Sequence, residues 1–194
     1  VLLFAPETEQ KLSYGQMALE AEHFMGWLKE HQISANGHVG IFMHNGRQTT
    51  TVFIATMVCG RVVTPLNLLA PVDQLAWVLD HSDIEVLFYA PENKPNLFAA
   101  LKKTQRTFEL VELDPDAESG PFLQSARLPL PQIDPNNPAL LMYTSGTTGT
   151  PKGVILTHRN LLHAAKSISE WHQLTPADIV LSSLPIYHIN GQVI

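Results

Sequence analysis

The stretch ALLMYTSGTTGTPKGVILT, residues 139–157, joins two apolar runs through a loop rich in glycine, serine and threonine. Short apolar runs bounded by turn-forming residues are typical of buried β-strands. We therefore predict a strand at 139–143, a strand at 153–157 and a polar loop between them. An ordinary surface turn between two strands is the simplest interpretation of this loop. The residue types in the loop decide between a surface turn and a ligand-binding loop.

The loop combines backbone freedom, hydroxyl groups and one cation. Glycines at 146, 149 and 153 allow positive φ angles or a close approach to a ligand. Backbone N–H groups exposed in such a loop form a concave set of donors that suits phosphate oxygens. Lys152 supplies a positive charge, and Pro151 fixes the chain just before it. The hydroxyl groups belong to Thr144, Ser145, Thr147 and Thr148.

The spacing differs from that of the P-loop found in nucleotide hydrolases. That motif is GxxxxGK[ST], and a helix follows it directly. Here GTTGTPKG has no glycine immediately before Lys152 and no hydroxyl residue immediately after it. The apolar run VILT also separates the loop from the next predicted helix. The sequence therefore argues against a conventional P-loop NTPase.

Predicted helices and strands alternate along the chain. Ser13 and Gln16 have the form of a capping box, with Leu12 and Met17 as its hydrophobic staple, at the start of the first helix. Such alternation argues for parallel βαβ units with right-handed crossovers. The predicted helices lie near residues 14–31, 47–59, 71–81, 96–104 and 158–172, with a further helix start at Thr175, Pro176 and Asp178. The other predicted strands lie at 38–44, 62–67, 84–90, 107–113 and 179–185.

Residues 114–138 interrupt this alternation. They contain six prolines and show little periodicity, which predicts a connection at the surface. The chain is therefore expected to consist of a βαβ-rich part at 1–113, a Pro-rich connection at 114–138 and a part at 139–194 that carries the loop.

Composition excludes several classes of protein. A chain of 194 residues with 45% hydrophobic residues can bury one sizeable core. Its net charge of −6 and scattered Lys and Arg argue against nucleic-acid binding. Its apolar runs are too short to cross a bilayer, so we expect no transmembrane segment. Cys59, the single cysteine, lies among apolar neighbours, which predicts a buried thiol and a reducing, cytoplasmic setting.

The nine histidines do not form a recognisable metal motif. They are spread over several predicted elements, without a cysteine partner and without HExxH spacing. We therefore predict no metal-ligating residues in this chain. The histidines on which this prediction depends are His23, His31, His38, His44 and His81.

The segment YTSGTTGTPKGV, followed by THRNL, resembles the phosphate-binding signature of the adenylate-forming superfamily. That superfamily includes acyl-CoA synthetases, luciferases and the adenylation domains of peptide synthetases. LSYGQM, CGRVVTPLN and LPIYHINGQ resemble further segments of the family in the same order, over nearly all the chain. The resemblance implies an α/β fold: a partial N-terminal domain of an acyl-CoA synthetase-like fold, with mostly parallel βαβ sheet layers and flanking helices.

The resemblance also implies a reaction. Members of the family activate a carboxylic acid with Mg²⁺ and ATP, which gives an acyl-adenylate and pyrophosphate. Lys152 and His188 are the implied catalytic residues, and His188 would lie near the carboxylate and the α-phosphate. Tyr187 would help to shape the acyl tunnel. The alternative interpretation of His188 is a histidine of the core at the end of a strand. The residues implied to hold the β- and γ-phosphates are Thr144, Ser145, Gly146, Thr147, Thr148, Gly149 and Lys152.

Three further residues near these segments carry weaker expectations. Arg61 stands where the family usually has a small residue, so local packing or a surface contact should differ there. His158 and Arg159 open a predicted helix, and a solvated helix end is the preferred interpretation for both.

Other parts of the family pattern are expected to lie beyond Ile194. These are the YGxTE segment, the ribose-binding aspartate, the hinge and the C-terminal domain with its catalytic lysine. The chain is thus interpreted as an incomplete, truncated N-terminal (AMP-binding) domain that is inactive alone. LPIYHINGQ favours an acyl-CoA ligase that uses coenzyme A and a fatty or other acyl acid. An enzyme that loads a carrier protein, or a non-catalytic nucleotide-binding fragment, stays open as an alternative.

Overall fold

The computed structural model of the chain describes residues 2–144, 151–189 and 191. In this part of the chain the strands are β1 Leu3–Ala5, β2 Gln10–Leu12, β3 His38–Phe42, β4 Val62–Pro65, β5 Ile84–Tyr89, β6 Glu109–Glu112, β7 Pro138–Thr144 and β8 Lys152–Thr157. The α-helices are α1 Tyr14–Glu30, α2 Arg47–Val58, α3 Val72–His81, α4 Lys94–Leu101 and α5 His158–Trp171. Short 3₁₀ turns cover Pro91–Asn93 and Pro121–Gln124.

Six strands form one sheet in the order β6-β5-β3-β4-β7-β8. The first five run parallel, and β8 returns antiparallel to β7. The mostly parallel βαβ sheet predicted from the alternation of elements is thus confirmed. β1 and β2 form a separate antiparallel pair that the sequence pattern did not predict, because strands of three residues are too short to show a period.

The sheet is covered by helices on both faces. In β5, Val86 and Phe88 belong to one core cluster, whereas Leu87 and Tyr89 belong to the other, as the alternation of side chains across a strand requires. The first core is built with α1 and α2, and the second with α3 and α4. Strands buried on both faces read as continuous apolar runs, which explains the sequence IEVLFY of β5.

Helices α1 and α2 are also joined through a buried ion pair. Arg47 Nη2 lies 2.5 Å from Glu20 Oε1, and both side chains are less than a tenth exposed. The Thr51 hydroxyl donates to the other Glu20 oxygen at 3.4 Å. The pair fixes the first turn of α2 against the middle of α1.

The predicted helix starts at Ser13 and Thr157 are confirmed. Both form complete capping boxes, with Gln16 and Asn160 respectively as the reciprocal partners. Leu12 and Met17, the predicted hydrophobic staple, are both buried in the first core. No helix of the described residues is long and apolar enough to cross a membrane.

The Pro-rich connection at 114–138 is not confined to the surface. Phe122 is fully buried, and its ring meets that of Phe24 edge-on at 5.3 Å between centroids. The backbone passes so close to α1 that a Cβ on Gly26 would lie 1.8 Å from the Ala126 carbonyl oxygen. One buried aromatic side chain, Phe122, packs the connection against α1. Because a single buried residue produces no periodic pattern, the sequence did not predict this packing.

Two predictions beyond α5 are wrong. Residues 179–185 form no strand, and Ile179 is 95% exposed. Asp178 Oδ2 accepts from the Thr175 N–H at 2.6 Å, but this contact closes a turn and starts no helix. An apolar run forms a strand only where a neighbouring strand offers its backbone groups, and none does so here among the described residues.

Candidate functional site

The phosphate-loop hairpin, β7 and β8 with the loop at 145–150, opens at the carboxyl edge of the sheet. β7 runs parallel to β4 and places Thr144 at that edge, where it pairs with Lys152 of β8. The Thr144 hydroxyl also donates to the Lys152 carbonyl at 3.5 Å. The loop therefore begins and ends at one strand pair. The predicted site residues Ser145, Gly146, Thr147, Thr148 and Gly149 lie outside the described residues.

Lys152 is available for an anion. Its side chain is exposed, and it takes part in no ion pair with the described carboxylates. Pro151 beside it is buried, so the start of β8 is anchored while the ammonium group extends from an ordered strand. A lysine has three donors, and one that forms no ion pair with the described part of the chain suits a phosphate oxygen.

Tyr143 fastens the end of β7 to α3. Its hydroxyl lies 2.8 Å from His81 Nδ1, and the Trp77 ring stacks on the His81 ring at 4.6 Å between centroids. Burial, with the nearby charge of Asp83 as a second cause, raises the pKa of Tyr143 to about 12. The phenol is therefore neutral at physiological pH and can act as a hydrogen-bond donor. Sequence reasoning did not find this contact; the i, i+4 spacing of Trp77 and His81 on one helix face was the available signal.

A crevice opens between β3 and β4. The chain leaves β3 for α2 on one face of the sheet and leaves β4 for α3 on the other, so the two connections diverge at the carboxyl ends of these neighbouring strands. A pocket of about 340 Å³ lies at this place. It is lined by His44 and Asn45 after β3, Leu68 after β4, and Ser183, Pro185 and Tyr187 from the segment after α5.

Asn45 fixes that segment to the crevice. Its side-chain amide donates to the Leu184 carbonyl at 2.8 Å, and its amide oxygen accepts from the Ile186 N–H at 2.8 Å. The next two residues are Tyr187 and His188. The structure thus brings the LPIYH segment to the same edge of the sheet as Thr144 and Lys152. Sequence reasoning missed Asn45, because an isolated asparagine after a strand is common in loops.

Tyr187 and Tyr143 line a smaller cleft of about 60 Å³ beside β4. Tyr143 precedes Thr144 and Tyr187 precedes His188, so the cleft places the segment before the loop next to the segment that bears His188. His188 itself is exposed, and its N–H bonds the Pro185 carbonyl at 3.0 Å in a tight turn. The alternative interpretation of His188 as a core histidine at the end of a strand is therefore wrong.

His158 and Arg159 lie at the first turn of α5. Their N–H groups bond the carbonyls of Asn137 and Pro135, which ties the helix start to the Pro-rich connection. Burial lowers the pKa of His158, whose Nε2 is buried and has no hydrogen-bond partner among the described residues. Arg159 is exposed, as expected of a solvated helix end, while His158 is only half-buried.

Arg61 and Cys59 are structural. The Arg61 guanidinium is buried and donates to the carbonyls of Cys59 and Ile33, at 2.6 and 3.2 Å. Arg61 is therefore accommodated in the interior because backbone carbonyl oxygens accept hydrogen bonds from its guanidinium. Cys59 is fully buried, as predicted, and burial raises the pKa of its thiol to about 12.

The described residues contain no group of three or more His, Cys, Asp and Glu side chains placed to hold a metal ion. His44 instead contacts two carboxylates at the surface, with Nδ1 2.6 Å from Glu92 Oε1.

Known proteins resemble the chain over its whole length. The family described as AMP-binding enzyme matches residues 1–194. A sulfoacetate–CoA ligase from Cupriavidus necator is 41% identical over 99% of this chain and 38% of its own length. The human mitochondrial malonate–CoA ligase ACSF3 is 32% identical over 72% of this chain and 24% of its own length. The chain thus spans well under half the length of these relatives.

A solved structure shares the fold. ATP-bound MatB from Rhodopseudomonas palustris superimposes with a TM-score of 0.79 at 24% identity. The match covers 95% of this chain and 37% of MatB. The chain therefore shares the α/β fold of that protein.

Proposed function

The chain belongs to the family of AMP-binding enzymes, and from that premise we propose that it forms part of an AMP-forming acid–thiol ligase. In the proposed reaction, a carboxylate attacks the α-phosphate of ATP and pyrophosphate leaves. The thiol of coenzyme A then attacks the acyl carbon of the acyl-adenylate, which gives acyl-CoA and releases AMP. One observation carries the proposal. The strand pair that ends at Thr144 and Lys152 and the segment bearing His188 lie at one edge of the sheet, where Tyr143 and Tyr187 line the same cleft.

The main obstacle to this reaction is the approach of one anion to another. Positioned donors and cations offset the repulsion, and one preorganised donor is typically worth about 3–4 kcal/mol in a transition state. Lys152 is available for the β- and γ-phosphates, and the Thr144 hydroxyl can join it by turning away from the Lys152 carbonyl, to which it donates at 3.5 Å. The leaving pyrophosphate is their natural target. We assign the rest of the cradle to Ser145, Gly146, Thr147, Thr148 and Gly149, with Mg²⁺ sharing the phosphate charge.

His188 is assigned to the reacting end of the nucleotide. It is exposed at the carboxyl edge and is flanked by Tyr187, which lines both the crevice and the smaller cleft. From this place an imidazole can donate a hydrogen bond to a carboxylate or an α-phosphate oxygen. Lys152 and His188 are thus the proposed catalytic residues.

The acceptor and the acid follow from different observations. The relatives named above are CoA ligases, which favours coenzyme A over a carrier protein as the acceptor. They are named for short acids with a second acidic group, so the proposed substrate is a carboxylic acid and the first candidates are sulfoacetate and malonate. The buried, reduced Cys59 fits a cytoplasmic enzyme.

The proposal is tested by pyrophosphate–ATP exchange with the complete gene product. The panel of acids contains sulfoacetate, malonate, acetate and a long-chain fatty acid, and each reaction is repeated with coenzyme A to detect acyl-CoA. We expect exchange that depends on one class of acid, and acyl-CoA formation with the same acid. ATP binding in calorimetry with no exchange for any acid would favour a non-catalytic nucleotide-binding protein. Transfer to a carrier protein but not to coenzyme A would favour the carrier-loading alternative.

A further inference from the structure

We propose that Asn45 is a positioning residue that sets the geometry of His188 by clamping the LPI backbone at Leu184, Pro185 and Ile186. This inference deepens the proposed function and rests on it for the catalytic consequence. The clamp itself is a contact between side chain and backbone that joins residues 139 and 141 positions apart.

Asn45 is held firmly on its own side. It lies between β3 and α2, where the Thr49 hydroxyl donates to the His44 carbonyl at 2.6 Å. The Gln48 N–H bonds the Pro115 carbonyl at 2.8 Å, and a Cβ on Gly46 would lie 2.5 Å from that same oxygen. The turn that carries Asn45 is thus packed too closely for its backbone to shift freely.

The clamped segment belongs to no helix or strand, although the Ile186 side chain packs against the first core. Residues 179–185 make no strand, and the side chains of Ile179 and Leu181 are more than four-fifths exposed. Pro185 has no N–H to offer, so the flanking Leu184 carbonyl and Ile186 N–H are the groups that a partner can bind. Asn45 binds both at 2.8 Å. An asparagine amide is suited to this because it presents one donor and one acceptor side by side.

The clamp is transmitted directly to Tyr187 and His188. The His188 N–H closes a turn on the Pro185 carbonyl at 3.0 Å. A Cβ on Gly191 would lie 2.4 Å from the Pro185 oxygen, so the following chain packs against the clamped residues as well. A displacement of Pro185 therefore displaces His188. Misplacing a reacting group by about 1 Å can cost about 100-fold in rate.

The experiment uses the complete gene product and compares Asn45→Ala, Asn45→Asp and the matched control Asn36→Ala. Asn36 is an exposed asparagine in the turn before β3, at the opposite edge of the sheet. Asn45→Asp keeps the acceptor for the Ile186 N–H but places a carboxylate oxygen against the Leu184 carbonyl. Hydrogen–deuterium exchange of the peptide that spans residues 184–189 measures the clamp, and pyrophosphate–ATP exchange measures its effect on catalysis.

We expect Asn45→Ala to raise the exchange rate of the Ile186 amide at least tenfold and to lower kcat of pyrophosphate exchange about 10- to 100-fold. KM for ATP should change less than threefold, because the phosphate loop is untouched. In a His188→Ala background, Asn45→Ala should lower kcat less than threefold, since residues that act as one unit are not additive. Asn45→Asp should fall between wild type and Asn45→Ala, and Asn36→Ala should match wild type.

Unchanged amide exchange at 184–189 in Asn45→Ala would overturn the clamp, whatever the chain catalyses. A full multiplicative loss in the His188→Ala background would show that Asn45 does not act through His188, and would overturn its positioning role. Wild-type protein without acid-dependent pyrophosphate exchange would overturn the proposed function, while the amide exchange of Asn45→Ala would still decide whether the clamp exists.

Discussion

The Tyr143 hydroxyl lies 2.8 Å from His81 Nδ1, and this contact joins the end of β7 to the last turn of α3. Tyr143 is the residue just before Thr144. The His81 ring is in turn stacked on Trp77, whose edge faces the Tyr143 ring. The entrance to the phosphate loop is therefore supported by three rings from two elements, and the support ends one residue before the first proposed phosphate-binding hydroxyl.

Tyr143→Phe should weaken this support without disturbing the core. Loss of one hydrogen bond typically costs about 1 kcal/mol of stability. We expect in addition a rise of about three- to tenfold in KM for ATP in pyrophosphate exchange, because the first residue of the cradle is less well fixed. The matched control is Tyr89→Phe, which removes the 3.1 Å bond to Glu112 near another strand end. Equal kinetic effects of the two variants would contradict a specific role for Tyr143.

Lys152→Ala, combined with Thr148→Val, should abolish most of the catalytic advantage of the phosphate loop. Removal of one preorganised donor typically lowers kcat by about 100- to 1,000-fold. We expect at least a 100-fold fall in pyrophosphate exchange by the complete gene product. Lys102→Ala is the control, because Lys102 is also exposed and has no ion pair among the described residues. Wild-type exchange in the double variant would remove the phosphate-cradle assignment.

Two glycines of α1 should respond in opposite directions to alanine. A Cβ on Gly15 meets no atom within 4 Å, so Gly15→Ala should stabilise the helix by a few tenths to about 1 kcal/mol. A Cβ on Gly26 would clash with the Ala126 carbonyl at 1.8 Å. Gly26→Ala should therefore destabilise the fold by about 1–3 kcal/mol, the usual cost of overpacking. Urea denaturation measures both, and a stabilising Gly26→Ala would show that residues 121–126 do not pack on α1 as described.

Cys59 should make the protein less stable at alkaline pH. The thiol titrates near pH 9.0 when unfolded, whereas burial raises its pKa in the folded protein to about 12. Above pH 9 the unfolded chain therefore holds fewer protons than the folded one, and the free energy of unfolding falls as pH rises toward 12.

The Cys59 contribution has a slope of up to about 1.4 kcal/mol per pH unit. Urea denaturation of wild type and Cys59→Ala at pH 8, 9 and 10 isolates it, because the contribution of Tyr143, whose pKa is also raised, is common to both proteins. Wild type should lose stability more steeply than Cys59→Ala between pH 9 and 10. Parallel curves would show that the thiol is not held in its protonated form.

The sheet could be predicted from the sequence where apolar runs end in turn-forming residues. β5, with IEVLFY before Ala90, the capping box at Ser13 and the helix start near residue 158 are local signals, and all three are confirmed. Phe122 could not be placed, because the burial of one aromatic side chain against α1 depends on contacts far away in the chain. The prediction of a strand at IVLSSLP was wrong for a similar reason, because no strand lies beside these apolar residues among the described residues.

The phosphate-binding role of the loop hydroxyls and Lys152 stays a prediction, which rests on a loop composition that suits phosphate. The geometry around the loop was less accessible from the sequence. Asn45 could not be assigned, because its importance comes from two backbone groups of a segment more than 130 residues later. The sequence pattern places Tyr143 at the end of a strand but does not predict its contact with His81, because that contact depends on how α3 packs on the sheet.

The pairing of Val63 with Leu140 joins β4 to a strand that lies beyond the Pro-rich connection. β3, β4 and β5 all come from residues 38–89 and can pair after short loop closures, whereas β7 has to cross 114–138 first. Non-local parallel pairing is intrinsically slow to form. We therefore expect the folding chain to build the sheet around β3 early and to complete the phosphate-loop hairpin last. Pulse-labelling should show protection of the β7 amides after those of β3 and β5, and simultaneous protection would contradict this order.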